Sequence, residues 1–159
     1  MIDQKLFILG ILLVFAFVLN AIGVFTPCWI VDSFGFTSRI VPYNRYAPLW
    51  FLAATVSMYL SFVLYIFMIL IYTYSLLIVH RKGYSRSVKK WFSLITNASG
   101  MIVCFTVLAL ILIGVNISKA SNSSDSYTLG YSAWLCVASA VISLGIFFNV
   151  VFFVHKECK

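Results

Sequence analysis

FTPCWIV, Phe25 to Val31, is the stretch on which the fold turns: a long apolar run stops at Pro27, and a Cys and a Trp follow before the chain becomes polar at Asp32. The run before it, Leu6 to Thr26, is either a leader cleaved here or a helix that stays in the membrane. It is longer than the roughly 7–15-residue apolar core of a secretory signal, and no small-x-small cleavage pattern follows it. Cleavage would leave three spans rather than four. The run therefore reads as a retained first helix. Pro27 ends it, because proline offers no N–H to continue the ladder, and Trp29 is expected at the membrane–water interface, anchoring the loop that follows.

Working outward, the chain of 159 residues is 63% hydrophobic and 9% charged, with a mean hydropathy of +1.05. Soluble domains carry roughly 25% charged residues, so this is an integral membrane protein. Uncharged runs of about 20 residues suffice to cross the hydrocarbon. The pattern predicts one all-α transmembrane domain over residues 1–159, a bundle of four helices spanning about 6–26, 48–79, 92–116 and 130–154. Outer loops are expected over 27–47 and 117–129 and a cytoplasmic loop over 80–91. The second run reaches about 50 Å as helix. That is too short for two spans and a turn, and no Gly or Pro interrupts it after Leu49, so a single tilted or protruding helix is expected.

The basic residues set the orientation. Lys5, Arg81, Lys82, Arg86, Lys89, Lys90, Lys156 and Lys159 fall on the side of the termini, against Arg39, Arg45 and Lys119 on the other. Eight against three predicts cytoplasmic termini, with the plasma membrane as the expected location. The net charge of +7 is thus a matter of topology and calls for no nucleic acid. Arg81, Lys82, Arg86, Lys89 and Lys90 form a basic loop suited to anionic lipid headgroups, and phosphorylation of Ser85 or Ser87 would weaken that contact. In the second outer loop Asn122-Ser123-Ser124 is a glycosylation acceptor sequon, which makes a glycoprotein the expectation.

No ionisable residue lies deep within a span, which disfavours a proton relay or ion-coupled carrier. The polar residues there are amides, hydroxyls and thiols, among them Asn20, Asn97 and Asn149. On the fourth span Ser132, Cys136, Ser139 and Ser143 recur at spacings of 4, 3 and 4, and Gly100 and Cys104 are one turn apart on the third. Small side chains on one face let a neighbouring helix approach closely, so these six residues are expected to pack the bundle; a hydrophilic pore along the stripe is the other reading.

No phosphate-binding loop, nucleophile elbow, paired acid or zinc-spaced Cys/His set occurs, so an enzyme is not expected, and no cofactor. Of Cys28, Cys104, Cys136 and Cys158, only Cys28 clearly faces the oxidising side, without an evident partner there.

Three pieces together resemble the claudin superfamily, which includes peripheral myelin protein relatives and nematode Clc-like proteins. Pro27 and Trp29 resemble that family's P-x-W start of the first extracellular loop. Pro48-Leu49-Trp50 is similar to its G-L-W element with the Gly replaced. Gly130-Tyr131-Ser132 with Trp134, in LGYSAWLCVASAVISL, resembles its fourth-helix opening. The cysteine pair that follows G-L-W in the family is missing, and the first loop is short: WIVDSFGFTSRIV has room for one small extracellular β-hairpin at most. The resemblance implies a tetraspan membrane protein acting by lateral contacts with another membrane protein or with itself. Its role would be that of an auxiliary subunit of a channel or receptor, or of a cell-junction component; a small oligomeric channel is the alternative.

Overall fold

The structure is a computed structural model and describes residues 4–31, 37–38, 48–82, 86–120 and 128–157. Four helices, α1 (Gln4–Phe25), α2 (Leu49–Lys82), α3 (Arg86–Ala120) and α4 (Tyr131–Glu157), are each long and apolar enough to cross a membrane. The chain is an integral membrane protein built as a four-helix bundle. Three strands of two residues, β1 (Ile30–Val31), β2 (Thr37–Ser38) and β3 (Thr128–Leu129), sit at one end; the start of α1, the end of α2, the start of α3 and the end of α4 lie at the other.

Local chemistry explains the boundaries. The Thr26 amide and hydroxyl both donate to the Ile22 carbonyl, at 3.0 and 2.6 Å, closing the last turn of α1 ahead of Pro27. At the start of α2 the Pro48 carbonyl accepts from the Phe51 and Leu52 amides at 2.9 and 3.2 Å. Along α2 the hydroxyls of Thr55, Ser57, Thr73 and Ser75 donate back to carbonyls one turn earlier. Polar side chains are thereby satisfied within their own helix, as a medium without water demands.

Each helix packs along its neighbour except at the lighter α1–α2 seam. There Phe62 stacks on Phe17 and meets Phe25 edge-on, with ring centroids 5.6 and 5.1 Å apart, and the Tyr72 hydroxyl donates to the Leu6 carbonyl at 2.7 Å. Two apolar clusters fill the interior. One, toward the termini, gathers Leu6, Leu13, Tyr65, Met68, Phe92, Ile95, Ile102 and Ile146. The other, beneath the strands, gathers Val24, Trp29, Phe51, Met58, Ala109, Ile113 and Cys136. Large apolar side chains such as Phe7, Phe15, Val63, Leu70, Ile111 and Phe152 cover the outside, where lipid rather than water is the solvent.

The strands form an antiparallel sheet in the order β2-β1-β3, Ile30 pairing with Ser38 and with Leu129, Val31 with Thr37 and with Thr128. The β1–β2 hairpin matches the single hairpin read from the sequence. The third strand, contributed by the segment before α4, was not anticipated.

Candidate functional site

The strand end of the bundle brings the sequence motifs together. Ser132 opens α4, and its amide donates to the Cys28 carbonyl at 3.1 Å while the Gly130 amide donates to the Trp29 carbonyl at 2.9 Å. The Ser132 hydroxyl pairs with the Thr26 hydroxyl at 2.7 Å and accepts from the Cys28 amide at 3.3 Å. The two backbones run so close at Gly130 that a Cβ there would overlap the Cys28 carbonyl oxygen and lie 2.7 Å from its carbon. Glycine is required by that approach alone. Pro27 and Gly130-Tyr131-Ser132, a hundred residues apart in sequence, are therefore two halves of one clasp.

Trp29 is what the clasp holds. It is fully buried and packs with Val24, Phe51, Met58 and Ile113, and its indole Nε1 donates to the Gly23 carbonyl at 2.8 Å. The sequence places it at the interface as an anchor; the structure turns it inward as a plug under the sheet. The physical reason is that Gly23 lies near the end of α1, where its carbonyl has no i+4 amide donor because residue 27 is proline. A Trp two residues past the proline supplies the donor. Trp134 instead faces outward, 64% exposed, and Tyr131 is exposed beside it. Leu49 is 83% exposed, and Trp50 is half-buried, edge-on to Phe51 at 5.6 Å.

Of the residues expected to pack helices, Ser132, Cys136, Ser139 and Ser143 are all fully buried. Ser139 donates to the Ala16 carbonyl of α1 at 2.9 Å, and the Tyr65 hydroxyl of α2 reaches the Ser139 carbonyl at 3.1 Å and the hydroxyls of Ser139 and Ser143. The stripe packs against the backbone of α1 at Ala16 and the Tyr65 side chain of α2. Gly100 and Cys104 do not join it. A Cβ at Gly100 would lie 3.8 Å from the edge of the Phe147 ring of α4, and Cys104 is exposed on the outward face of α3. Within the bundle α3 presents Phe92, Ile95, Ile102, Ala109 and Ile113; in lipid no solvent penalty drives small residues to the inside, so size alone does not say which way they point.

Arg81, Lys89 and Lys90 are exposed at the end opposite the sheet, on the helix ends that also carry Lys82 and Arg86. Asn122, Ser85, Arg39, Arg45 and Cys158 lie outside the described residues. The sequence reading passed over Gly23, against whose position α4 packs so closely that a Cβ would overlap the Cys136 sulfur, and gave Tyr65 no specific partner. The signal for Tyr65 was a phenol in mid-span, too deep for the interface that tyrosines usually favour.

A family model described as "Tight junction protein, Claudin-like" matches residues 1–159. No curated protein matches the chain. With four spans, a sheet at one end and the clasp that joins Pro27–Trp29 to Gly130–Ser132, the full-length match establishes that this chain belongs to the claudin-like family.

Proposed function

We propose that the chain acts by lateral protein–protein contacts within the plasma membrane, as an auxiliary or regulatory subunit of a channel or receptor or as a cell-junction component, with both termini in the cytoplasm. The observation that carries this reading is the outward face of α3. Ser93, Asn97 and Cys104 are exposed there and Gly100 is half-buried, at successive spacings of 4, 3 and 4. Lipid tails gain nothing from hydroxyl, amide or thiol groups, whereas a neighbouring helix can approach small residues closely and bond to an amide. The filled interior favours an auxiliary role over conduction through one copy, since Trp29, Met58, Tyr65, Met68 and Phe92 are fully buried along the bundle. The excess of Lys and Arg beside the termini supports the orientation, and Arg81, Lys89 and Lys90 are placed to meet anionic headgroups. Asn122 would then be presented for glycosylation on the outer side.

Oxidative crosslinking in native membranes tests the reading, using a chain in which Cys104 is retained and Cys28, Cys136 and Cys158 are replaced by Ser. A disulfide to a channel, receptor or junction protein, or to a second copy, is the expected result. Crosslinking no greater than that of a cysteine placed at Val141, exposed on α4, overturns it. Conductance of the purified protein in planar bilayers would instead favour the oligomeric channel.

A further inference from the structure

Asn20 is fully buried, and it alone among the described residues has buried side-chain atoms, Nδ2 and Oδ1, with no hydrogen-bond partner. Hydrogen-bonded groups flank it on both sides. One turn toward the termini the Ala16 carbonyl takes the Ser139 hydroxyl, which belongs to the Tyr65–Ser143 network. One turn toward the sheet Gly23 abuts Cys136, and beyond it Thr26 pairs with Ser132. Ala16, Asn20 and Gly23 share one face of α1, so Asn20 lies against α4 between the levels of Ser139 and Cys136. It sits between the Ser139–Tyr65–Ser143 cluster and the Thr26–Ser132 pair.

We propose that Asn20 marks a hydration site, in which its amide binds one or two internal water molecules in the α1–α4 seam. An amide cannot discard its polarity by changing protonation, and it has two donors and two acceptor lone pairs to satisfy. The site is closed to the surroundings, since Asn20, Cys136 and Ser139 are all fully buried. Internal waters need about two to four polar partners; the amide offers both kinds, and the Ser139 hydroxyl and Cys136 thiol stand on the facing turns of α4. The water completes a polar seam from Thr26 and Ser132, through Asn20, to Ser139, Tyr65 and Ser143. A seam continuous over that length fixes the register of α1 on α4 and with it the height of the Trp29 plug. The inference does not depend on lateral contacts.

Radiolytic hydroxyl labelling of the full-length protein in nanodiscs, read by mass spectrometry, tests it, because radicals reach a closed interior only through water already bound there. Cys136 is compared with Met68, an equally buried sulfur in the apolar cluster toward the termini. After correction for intrinsic reactivity, Cys136 is expected to label several-fold faster than Met68. The excess should vanish in Asn20→Leu and persist in Asn20→Ser, which keeps a polar group. Equal labelling of Cys136 and Met68 in the unaltered chain overturns the proposal, as does an excess that survives Asn20→Leu. The comparison within the unaltered chain decides the matter even if the leucine variant fails to fold.

Discussion

Replacing Gly130 by Ala tests the clasp directly. The added Cβ would overlap the Cys28 carbonyl oxygen and lie 2.7 Å from its carbon and 3.1 Å from its sulfur. The first two are backbone atoms, so no rotamer change relieves them. The segments must separate, which breaks the bonds from the Gly130 amide to Trp29 and from the Ser132 amide to Cys28. Two such bonds contribute about 1 kcal/mol each, and forced overpacking costs about 1–3 kcal/mol, so the expected loss is about 3–5 kcal/mol. Gly114→Ala is the control, because a Cβ there meets nothing within 4 Å and alanine favours a helix interior by about 0.5–1 kcal/mol. SDS titration from mild detergent, followed by far-UV circular dichroism, measures both. Tryptophan emission should shift to the red in Gly130→Ala as Trp29 loses its enclosure. A midpoint for Gly130→Ala equal to that of Gly114→Ala would refute the reasoning.

The same titration checks three further outcomes. Trp29→Phe retains most of the buried area but loses the bond to the Gly23 carbonyl, for about 1 kcal/mol; Trp29→Ala should cost about 3–5 kcal/mol. Gly23→Ala should destabilise by about 1–3 kcal/mol, and Cys136→Ala in the same chain should restore part of it by removing the nearest obstructing atom; strict additivity in the double-mutant cycle would contradict the contact. Tyr65→Phe deletes the hydroxyl shared with Ser139 and Ser143 and should cost about 0.6–1.7 kcal/mol, the range seen for bonds between membrane helices.

Much of the fold was legible because crossing a membrane imposes a length and an apolarity that a linear chain displays openly. The runs around FTPCWIV and after Trp50, the absence of buried charge and the crowding of Lys and Arg beside the termini all lie in local sequence. The α4 stripe was legible too, since Ser132, Cys136, Ser139 and Ser143 repeat with the helical period. Gly100 and Cys104 carry a similar spacing, yet Cys104 faces outward and Gly100 is half-buried beside Phe147 of α4. The difference is physical: in water, hydrophobicity separates inside from outside, whereas in lipid both faces of a span are apolar and periodicity loses its meaning.

By itself, then, the sequence determined four helices long and apolar enough to cross a membrane and the motifs that resemble one family, because each rests on composition or on neighbours in the chain. Tertiary structure decided what those motifs do. Trp29 was read as an interfacial anchor until its indole was placed against Gly23, and β3 joins the hairpin only because α1 and α4 are neighbours. The glycine at 130 is explained by Cys28 and the unpartnered amide at 20 by the turns of α4 around it. Apart from the local Trp29–Gly23 bond, these depend on an approach between segments about a hundred residues apart or on which way a helix is rotated, and neither leaves a mark in a linear pattern of apolar residues.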